Sequence, residues 1–350
     1  MDSHFKHLDF YKLLPKVELH RHLEGSLRLS TMLEIAQDHN LDLPYGNVEK
    51  FRSLVQVLET DPYNFLNFLS KFGTLRNFYQ TPEAIMRIAR ESIVDAALDN
   101  IRYMELRFTP VALTRIREFP LGEAMDWVIE SVKVASQEFG IKTNLIASLN
   151  RHESLKLAEE VMGLAVDRME RGIVGLDLAG NEAEFPGNEF ENIFKEARDS
   201  GLNITIHAGE WGKAEGVKMA IDTLGAERIG HGVRIMEDDT IVELAKERKM
   251  VFEVCPTSNY QSGIVKKLED HPLPEMIASG LVCTVNTDDP GISQIDLSDE
   301  YAICGEVLGI TNEGLKTLIL NSVESAFLPD DEKKILKDQL MNEYLEISKD

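Results

Sequence analysis

The sequence is poor in cysteine and has no paired-cysteine motif. Only three cysteines occur in 350 residues, Cys255, Cys283 and Cys304, and none belongs to a CxxC pair. Such scattered thiols argue against a disulfide framework and against a thiolate zinc site. They are typical of a protein that folds in a reducing compartment.

Long apolar runs and positive charge are also scarce. No apolar run is long enough to predict a membrane span, and residues 1–7 (MDSHFKH) lack the basic and apolar regions of a secretory signal. The 60 acidic and 37 basic residues give a formal net charge of −23. This charge opposes nonspecific binding to nucleic acid or to an anionic membrane. We therefore expect a cytoplasmic protein that binds neither and takes a small neutral substrate; the oligomeric state stays open.

A phosphate-binding glycine loop is missing, and short apolar runs alternate with longer amphipathic segments throughout the chain. This alternation is typical of repeated βα units and a parallel sheet. Strands are expected to begin near Val17, Ile101, Lys142, Ile173, Asn203, Arg228, Met250 and Leu281. Eight parallel strands favour a closed (β/α)8 TIM-type barrel, with a doubly wound sheet carrying a helical appendage as the alternative.

The interval after the first strand is much longer than the others. Residues 29–100 contain several helical patterns, one of them with Thr81 as the expected cap and Pro82 in the first turn. We expect a helical insertion here, in which residues 51–78 form either an apolar lid or ordinary packing against the barrel. Residues 297–310 and 312–327 are expected to close the fold as C-terminal helices, before a charged tail from residue 330. No linker divides the chain, so residues 1–350 are expected to form one domain.

His20 and His22 form an HxH pair at the end of the first expected strand. Residues i and i+2 of a strand lie on the same face, so both imidazoles are expected to point the same way. An HxH pair alone is more often incidental than functional. A functional interpretation of the pair is favoured by three later expected strand ends, which carry His207, His231 and Asp288.

The carboxyl ends of barrel strands meet at one mouth, which would bring these residues together. Nitrogen and carboxylate ligands suit a borderline divalent ion, and catalytic zinc sites keep one position open for water. The expected ligands are His20, His22, His207 and Asp288. One metal ion in this site would supply hydroxide near neutral pH.

Three further residues are expected to act beside the metal. Glu210 follows His207 by three residues and is the candidate proton donor, while His231, flanked by Gly230 and Gly232, is the candidate to orient or deprotonate the attacking water. Asp289 follows Asp288 at a turn, so its carboxylate can reach the substrate. Each of these residues alone would more often be solvated or structural; their shared placement favours a site.

Six segments together resemble the adenosine/adenine deaminase family of the metal-dependent amidohydrolases. In order, they are HRHLEG at 20–25, DLAGNE at 177–182, HAGE at 207–210, GHG at 230–232, FEVCP at 252–256 and NTDDP at 286–290. The resemblance runs from about residue 13 to 327. It is most like adenosine deaminase and implies a zinc-dependent barrel, with one Zn²⁺ per chain, that converts a 6-aminopurine to the 6-oxo compound and ammonia.

The resemblance also implies roles for individual residues. Glu210 would protonate ring N1, and His231 would assist the attacking hydroxide. The backbone of Gly180 would bind ring N3 and Asp289 would bind N7. Substrate contacts would also come from Glu24 and from the ligand His22.

One position departs from the family pattern. Members that act on adenosine usually carry Asp after HxHL, where this chain has Glu24. Glu is typical of relatives that deaminate adenine or modified nucleosides. The expected substrates are adenosine and 2′-deoxyadenosine, converted to inosine or its deoxy form, with adenine or 6-aminofutalosine as alternatives.

Two other kinds of protein compete with this interpretation. A two-metal amidohydrolase generally needs a bridging group, often a modified lysine from a middle strand, and residues 177–180 contain none. A barrel that only binds ligands has no physical need for four metal ligands together with Glu210, His231 and Asp289. The sequence therefore favours a single-metal enzyme.

Overall fold

Eight parallel strands form a barrel in the computed structural model, which describes residues 5–347. Residues 1–4, part of the stretch used above to argue against a secretory signal, lie outside the described residues. The strands are β1 (Lys16–His22), β2 (Ile101–Phe108), β3 (Lys142–Asn150), β4 (Ile173–Ala179), β5 (Asn203–Ala208), β6 (Arg228–His231), β7 (Val251–Val254) and β8 (Val282–Val285). Each strand pairs with its neighbours in chain order. The predicted starting points are confirmed to within one residue.

The ring closes at its carboxyl end between β1 and the segment that follows β8. The backbone N–H of Asp288 donates to the carbonyl of His20 at 2.9 Å, and the N–H of His22 donates to the carbonyl of Asp288 at 2.8 Å. The side chain of Asn286 accepts from the N–H of Leu19 at 2.8 Å. These contacts place Asp288 directly beside the HxH pair, and the TIM-type barrel is confirmed.

Helices surround the strands. The α-helices are Leu8–Leu13, Leu29–Asp38, Val48–Val55, Phe65–Leu75, Pro82–Leu98, Pro110–Thr114, Leu121–Phe139, Leu155–Val166, Glu191–Asp199, Ala214–Asp222, Asp239–Glu247, Pro256–Gln261, Leu273–Ala278, Pro290–Ser293, Leu297–Ala302, Asn312–Ser325 and Asp330–Ile347. Short 3₁₀ turns span Arg76–Phe78, Met169–Arg171, Gly187–Phe190, Val233–Glu237 and Leu268–Asp270, and a π-turn spans Ile303–Val307. Within residues 5–347, no helix is long and apolar enough to cross a bilayer.

The insertion between β1 and β2 is helical, as expected. Four α-helices occur there, and the last begins as predicted: the Thr81 hydroxyl accepts the N–H of Ala84 at 3.2 Å, with Pro82 in the first turn. The helix Phe65–Leu75 packs Phe68 into the hydrophobic core and also lines the cavity described below. This helix therefore both packs against the core and forms part of the cavity wall.

The C-terminal segment holds more structure than the sequence indicates. The charged stretch from residue 330 forms the helix Asp330–Ile347, which buries Leu336 and Leu340. Two leucines one turn apart are a weak signal among so many charged residues. The preceding helix, Asn312–Ser325, packs against β8 and β1.

Candidate active site

The predicted metal ligands converge at the carboxyl end of the barrel. His20 and His22 end β1, His207 is the penultimate residue of β5, and Asp288 follows β8 by three residues. The Nε2 atoms of His22 and His207 lie 3.1 Å apart. The Oδ1 atom of Asp288 lies 3.2 Å from Nε2 of His20 and 3.3 Å from Nε2 of His22. Four donor atoms thus face one small volume.

Buried carboxylates orient two of these imidazoles through their Nδ1 atoms. The Nδ1 atom of His20 lies 2.8 Å from Oε2 of Glu253, and Nδ1 of His207 lies 2.9 Å from Oδ1 of Asp177. Burial raises the pKa of Glu253, but the guanidinium groups of Arg107 and Arg228 outweigh it and hold that pKa well below its usual value. Burial also raises the pKa of Asp177, but the neighbouring His207 and Arg107 outweigh it and hold that pKa below its usual value. Each Nδ1–H therefore donates to an ionised carboxylate, and each Nε2 turns its lone pair toward the centre.

A divalent metal ion fits this donor set. The Nε2 atom of His20 is buried and makes no hydrogen bond, although Asp288 lies only 3.2 Å away. A buried lone pair without a partner is costly unless something else binds it. Three imidazole nitrogens and one carboxylate oxygen suit a borderline ion such as zinc.

Distance alone leaves the third histidine ligand open. Single donor atoms of His20, His207, His231 and Asp288 all lie within 4.8 Å of one another. His231 therefore competes geometrically with the predicted ligand His22. The contact of Asn259 with Nδ1, on the far side of the His231 ring, distinguishes the two.

The backbone is strained at two of the central residues. Asp288 and His231 adopt left-handed conformations with φ of 62° and 58°. Residues other than glycine occupy this region infrequently, and aspartate and histidine do so more readily than most. As we expected for Asp288 and Asp289, the turn at Asp288 lets adjacent carboxylates point toward different parts of the site.

Asp289 packs against glycine in the β1 loop. A Cβ atom added to Gly25 would lie 1.8 Å from Oδ1 of Asp289, so only glycine fits at this position. Burial, together with the nearby carboxylates of Asp288 and Glu24, raises the pKa of Asp289 well above its usual value. The protonated acid can donate a hydrogen bond.

Glu210 is buried beside His231. Its Oε2 atom lies 3.7 Å from Nε2 of His231. Burial, with the negative charges of Asp288 and Glu182, raises the pKa of Glu210 well above its usual value. Glu182 also positions this residue, because its carboxylate accepts the backbone N–H groups of Gly209 at 2.7 Å and Glu210 at 3.1 Å. This arrangement keeps the Glu210 carboxyl group protonated at the carboxyl end of the barrel.

A cavity of about 370 Å³ opens next to these groups. Its lining includes His22, Glu24, Gly180, Glu210, His231, Asp288 and Asp289, together with apolar side chains of the insertion. Four lining residues have a buried polar atom without a hydrogen-bond partner: Oε2 of Glu24, the Tyr79 hydroxyl, Nε1 of Trp211 and Oδ1 of Asp289. A partly apolar cavity with several unpaired polar groups is what a small polar aromatic molecule requires.

Glu24 lies on the cavity wall. Its Oε1 atom accepts the backbone N–H of Thr109 at 2.5 Å, and its Oε2 atom is free of partners. Burial raises its pKa to about 7. At neutral pH this side chain can therefore either donate or accept a hydrogen bond.

Several residues that support the site were not predicted from the sequence to have a role. Asp177 and Glu253 orient two histidines, Glu182 holds the Glu210 backbone, and Ser258 donates to Oδ2 of Asp288 at 2.7 Å. The signal for the first two was present, since a lone acid interrupts the apolar strands β4 and β7. Buried carboxylates need partners, and histidine is a common one.

A family model described as adenosine deaminase matches residues 15–343. This match covers all eight strands of the barrel and every residue of the site. The chain belongs to the adenosine deaminase family. The resemblance stated from the six sequence segments is thereby confirmed.

Three relatives illustrate the range of this family. The chain is 37% identical over 328 residues to the adenosine deaminase of Aliivibrio fischeri (strain MJ11), covering 93% of this chain and 98% of the relative. It is similar in structure to an adenine deaminase from Arthrobacter aurescens, with a TM-score of 0.86, 32% identity, and coverage of 94% and 98%. It is also similar to an amidohydrolase from Burkhoderia ambifaria with bound Zn, with a TM-score of 0.89, 26% identity, and coverage of 100% and 97%.

Proposed function

We propose that this chain is a zinc-dependent hydrolytic deaminase that converts adenosine or 2′-deoxyadenosine to the 6-oxo nucleoside and ammonia. The observation that carries the proposal is the position of Glu210, a buried acid with a raised pKa, in one cavity with His22, His207 and Asp288. Proton donation to a ring nitrogen requires such an acid, and hydrolysis requires an activated water. The family match and the relatives named adenosine deaminase support the same reaction.

His20, His22, His207 and Asp288 would hold one zinc ion. When bound, the ion acts as a Lewis acid that makes water a stronger nucleophile near neutral pH. Nδ1 of His20 lies against Glu253 and Nδ1 of His207 lies against Asp177, so each Nε2 would be available as a metal ligand. The zinc-bound amidohydrolase among the similar structures supports this choice of metal.

The remaining residues act on the purine ring. Protonated Glu210 donates to N1, which withdraws electrons from C6 and makes attack at this aromatic carbon feasible. Asp289, protonated because its pKa is raised, donates to N7, and the backbone N–H of Gly180 donates to N3. These three contacts fix the ring in one orientation at the cavity wall.

The reaction balances with water as the only co-reactant. The water oxygen adds to C6, and the bond between C6 and the amino nitrogen breaks. One hydrogen of the water remains on N1 of the product, and the other leaves with the amino group as ammonia. Glu210 donates its proton before the attack and recovers one afterwards, so it acts as both acid and base.

Adenine is the second candidate substrate, because the chain has Glu24 at a position where adenosine enzymes usually carry Asp. A carboxylate with one more methylene reaches further into the cavity, and its free Oε2 atom can fill part of the space that a ribose would take. The similar adenine deaminase structure supports this candidate. 6-Aminofutalosine remains an alternative, because a longer acid can also face a bulkier 5′ group.

A panel of substrates tests the proposal. Purified zinc-loaded protein is mixed with adenosine, 2′-deoxyadenosine, adenine, AMP or 6-aminofutalosine, and the ultraviolet change of the amino-to-oxo conversion is followed beside ammonia release. Rapid turnover of the two nucleosides is expected. Preference for adenine or aminofutalosine would keep the reaction and reassign the substrate, whereas no turnover of any of the five would contradict the proposal.

A cytoplasmic location belongs to the same proposal. It is supported by Cys255, Cys283 and Cys304, which are buried and unpaired in the structure. Persistent free thiols are typical of a reducing compartment. Fractionation of cells that express the chain tests it, and recovery outside the cytoplasm would contradict it.

A further inference from the structure

A line of hydrogen bonds runs from the backbone to His231 through two buried side chains to which the proposed reaction gives no role. The backbone N–H of Leu273 lies 3.1 Å from Nδ1 of His271. Nε2 of His271 lies 3.2 Å from Oδ1 of Asn259, and Nδ2 of Asn259 lies 3.1 Å from Nδ1 of His231. The side chains of this line, His271, Asn259 and His231, are 3%, 0% and 1% exposed. Water therefore does not compete for these bonds.

The direction of the whole line is fixed at its first bond. A backbone N–H can only donate, so Nδ1 of His271 accepts, and a neutral ring then carries its proton on Nε2. Burial lowers the pKa of His271 to about 3, which keeps the ring neutral at physiological pH. The Nε2–H group needs an acceptor, and this requirement sets the amide of Asn259 with its oxygen toward His271.

The amide orientation in turn sets the proton on His231. With its oxygen toward His271, Asn259 presents its NH₂ group to Nδ1 of His231. An amide NH₂ can only donate, so Nδ1 of His231 is the acceptor. The neutral ring of His231 then carries its proton on Nε2, the nitrogen that faces Glu210 at 3.7 Å and Asp288 at 3.9 Å.

His20 and His207 are arranged in the opposite way. Their Nδ1 atoms face the carboxylates of Glu253 and Asp177, which accept. Those two rings keep the proton on Nδ1 and turn a lone pair toward the centre. One site thus contains histidines of both tautomers, and the partner on the far side of each ring selects which one.

We propose that Asn259 and His271 are positioning residues that hold His231 in its Nε2–H tautomer, so that it presents a hydrogen-bond donor to the reaction centre. A protonated nitrogen cannot bind a metal ion, which leaves His22 rather than His231 as the third histidine ligand. The same N–H group can hold the oxygen that attacks C6, whereas it cannot remove a proton from it. This catalytic consequence rests on the proposed function, but the tautomer does not.

The tautomer can be read directly by nuclear magnetic resonance. Full-length protein labelled with ¹⁵N in histidine is loaded with zinc, which is diamagnetic, and long-range ¹H–¹⁵N correlations are recorded. The signals of His231 are assigned by their loss in His231→Gln. We expect a protonated Nε2 and an unprotonated Nδ1 for His231, and a protonated Nδ1 for His20 and His207. A protonated Nδ1 on neutral His231 would overturn the proposal.

Asn259→Asp tests the line by reversing one bond. A carboxylate has no N–H to donate, so it accepts from both rings and shifts the His231 proton to Nδ1. We expect the ¹⁵N pattern of His231 to invert and kcat to fall by about 10²–10⁴-fold, the range typical of a misplaced catalytic proton, with KM changing much less. Full kcat in a variant with an inverted tautomer would overturn the positioning role.

His271 provides a matched pair of variants. His271→Gln keeps an amide N–H donor for Asn259, so His231 is expected to stay in its Nε2–H tautomer and most of the kcat to be kept. His271→Leu has no such donor and is expected to lose kcat. Ser262→Ala, which removes a hydroxyl next to the backbone carbonyl of Asn259, is the control and should leave the tautomer unchanged. Equal loss of kcat in the glutamine and leucine variants would contradict the line of bonds.

The two proposals fail separately. A wild-type protein that turns over no purine but shows the Nε2–H tautomer would remove the proposed function and leave the tautomer assignment standing. An active enzyme with a protonated Nδ1 on His231 would keep the proposed function and remove the tautomer assignment. The spectrum of the wild-type protein needs no variant to fold.

Discussion

The ring of His207 has two nitrogens with different neighbours, and this difference gives the residue its expected role. Nδ1 donates to Asp177, while Nε2 faces His22 and the centre of the site. A histidine held in this way loses no rotational freedom when it binds a metal ion. The same reasoning applies to His20 and Glu253.

His207→Ala should therefore abolish stoichiometric zinc binding. The variant loses one of four ligands and removes the histidine partner of the buried Asp177 carboxylate. Metal content measured by mass spectrometry after dialysis is expected to fall from about one zinc per chain to far below one. His39→Ala, which changes a histidine at the end of the helix Leu29–Asp38, is the control and should keep its zinc. A fully loaded His207→Ala protein would require a different ligand set.

Glu210→Gln should keep the metal and the substrate but lose turnover. Glutamine preserves the shape of the side chain, yet it cannot give a proton to ring N1. We expect kcat to fall by about 10²–10⁴-fold with near-normal zinc content. Glu215→Gln, an exposed acid in the next helix, should retain full activity. Unchanged turnover in Glu210→Gln would remove this residue from the mechanism.

The sequence predicts the individual metal ligands better than it predicts the residues that orient them. His20, His22, His207 and Asp288 could be found because each lies at or just beyond the carboxyl end of a strand, and these ends meet in a barrel. Asn259 and His271 could not be found in this way. They lie on a short helix and a loop after β7, and their contact with His231 depends on how that segment packs.

The insertion shows what periodicity predicts at the scale of elements and what it leaves open. Apolar periodicity with the Thr81 cap predicted helices between β1 and β2, and these are present. It could not decide between a lid and ordinary packing, because an apolar face is the same in both cases. In the structure, Phe68 is buried in the core while Phe72 lines the cavity and remains partly exposed.

The helix Phe65–Leu75 should therefore contribute to substrate binding through one of its faces. Phe72→Ala removes an apolar ring from the cavity wall and is expected to raise KM by about tenfold, the effect of losing part of one apolar contact, with little change in kcat. Leu66→Ala on the same helix removes a side chain that is 66% exposed and should change neither constant. Equal effects of the two variants would show that the helix acts only through general packing.

At the scale of the whole molecule, one connected hydrophobic core extends from Tyr11 to Leu340. This continuity supports the expectation that the chain folds as one domain, which stays a prediction. The two tryptophans lie far apart in the chain and in different surroundings: Trp127 packs against Phe119, and Trp211 lies at the cavity near Phe65.

Single-tryptophan variants test the one-domain prediction. Trp127→Phe leaves a probe at the cavity, and Trp211→Phe leaves a probe on the helix Leu121–Phe139. If the chain unfolds as one unit, the fluorescence transitions in denaturant should have midpoints that coincide with each other and with loss of helical circular dichroism. Separated midpoints would indicate that the cavity and the remainder of the barrel unfold as distinct units.

In the proposed reaction, this barrel adds the oxygen of water to C6 of a 6-aminopurine. The most direct test is a reaction of the zinc-loaded enzyme with adenosine in H₂¹⁸O, with mass spectrometry of the product and measurement of ammonia. We expect one ¹⁸O atom at the 6-oxo position and one ammonia for each inosine formed. A 6-oxo product that carries no ¹⁸O, or no conversion of adenosine, adenine or 6-aminofutalosine under these conditions, would contradict this reaction.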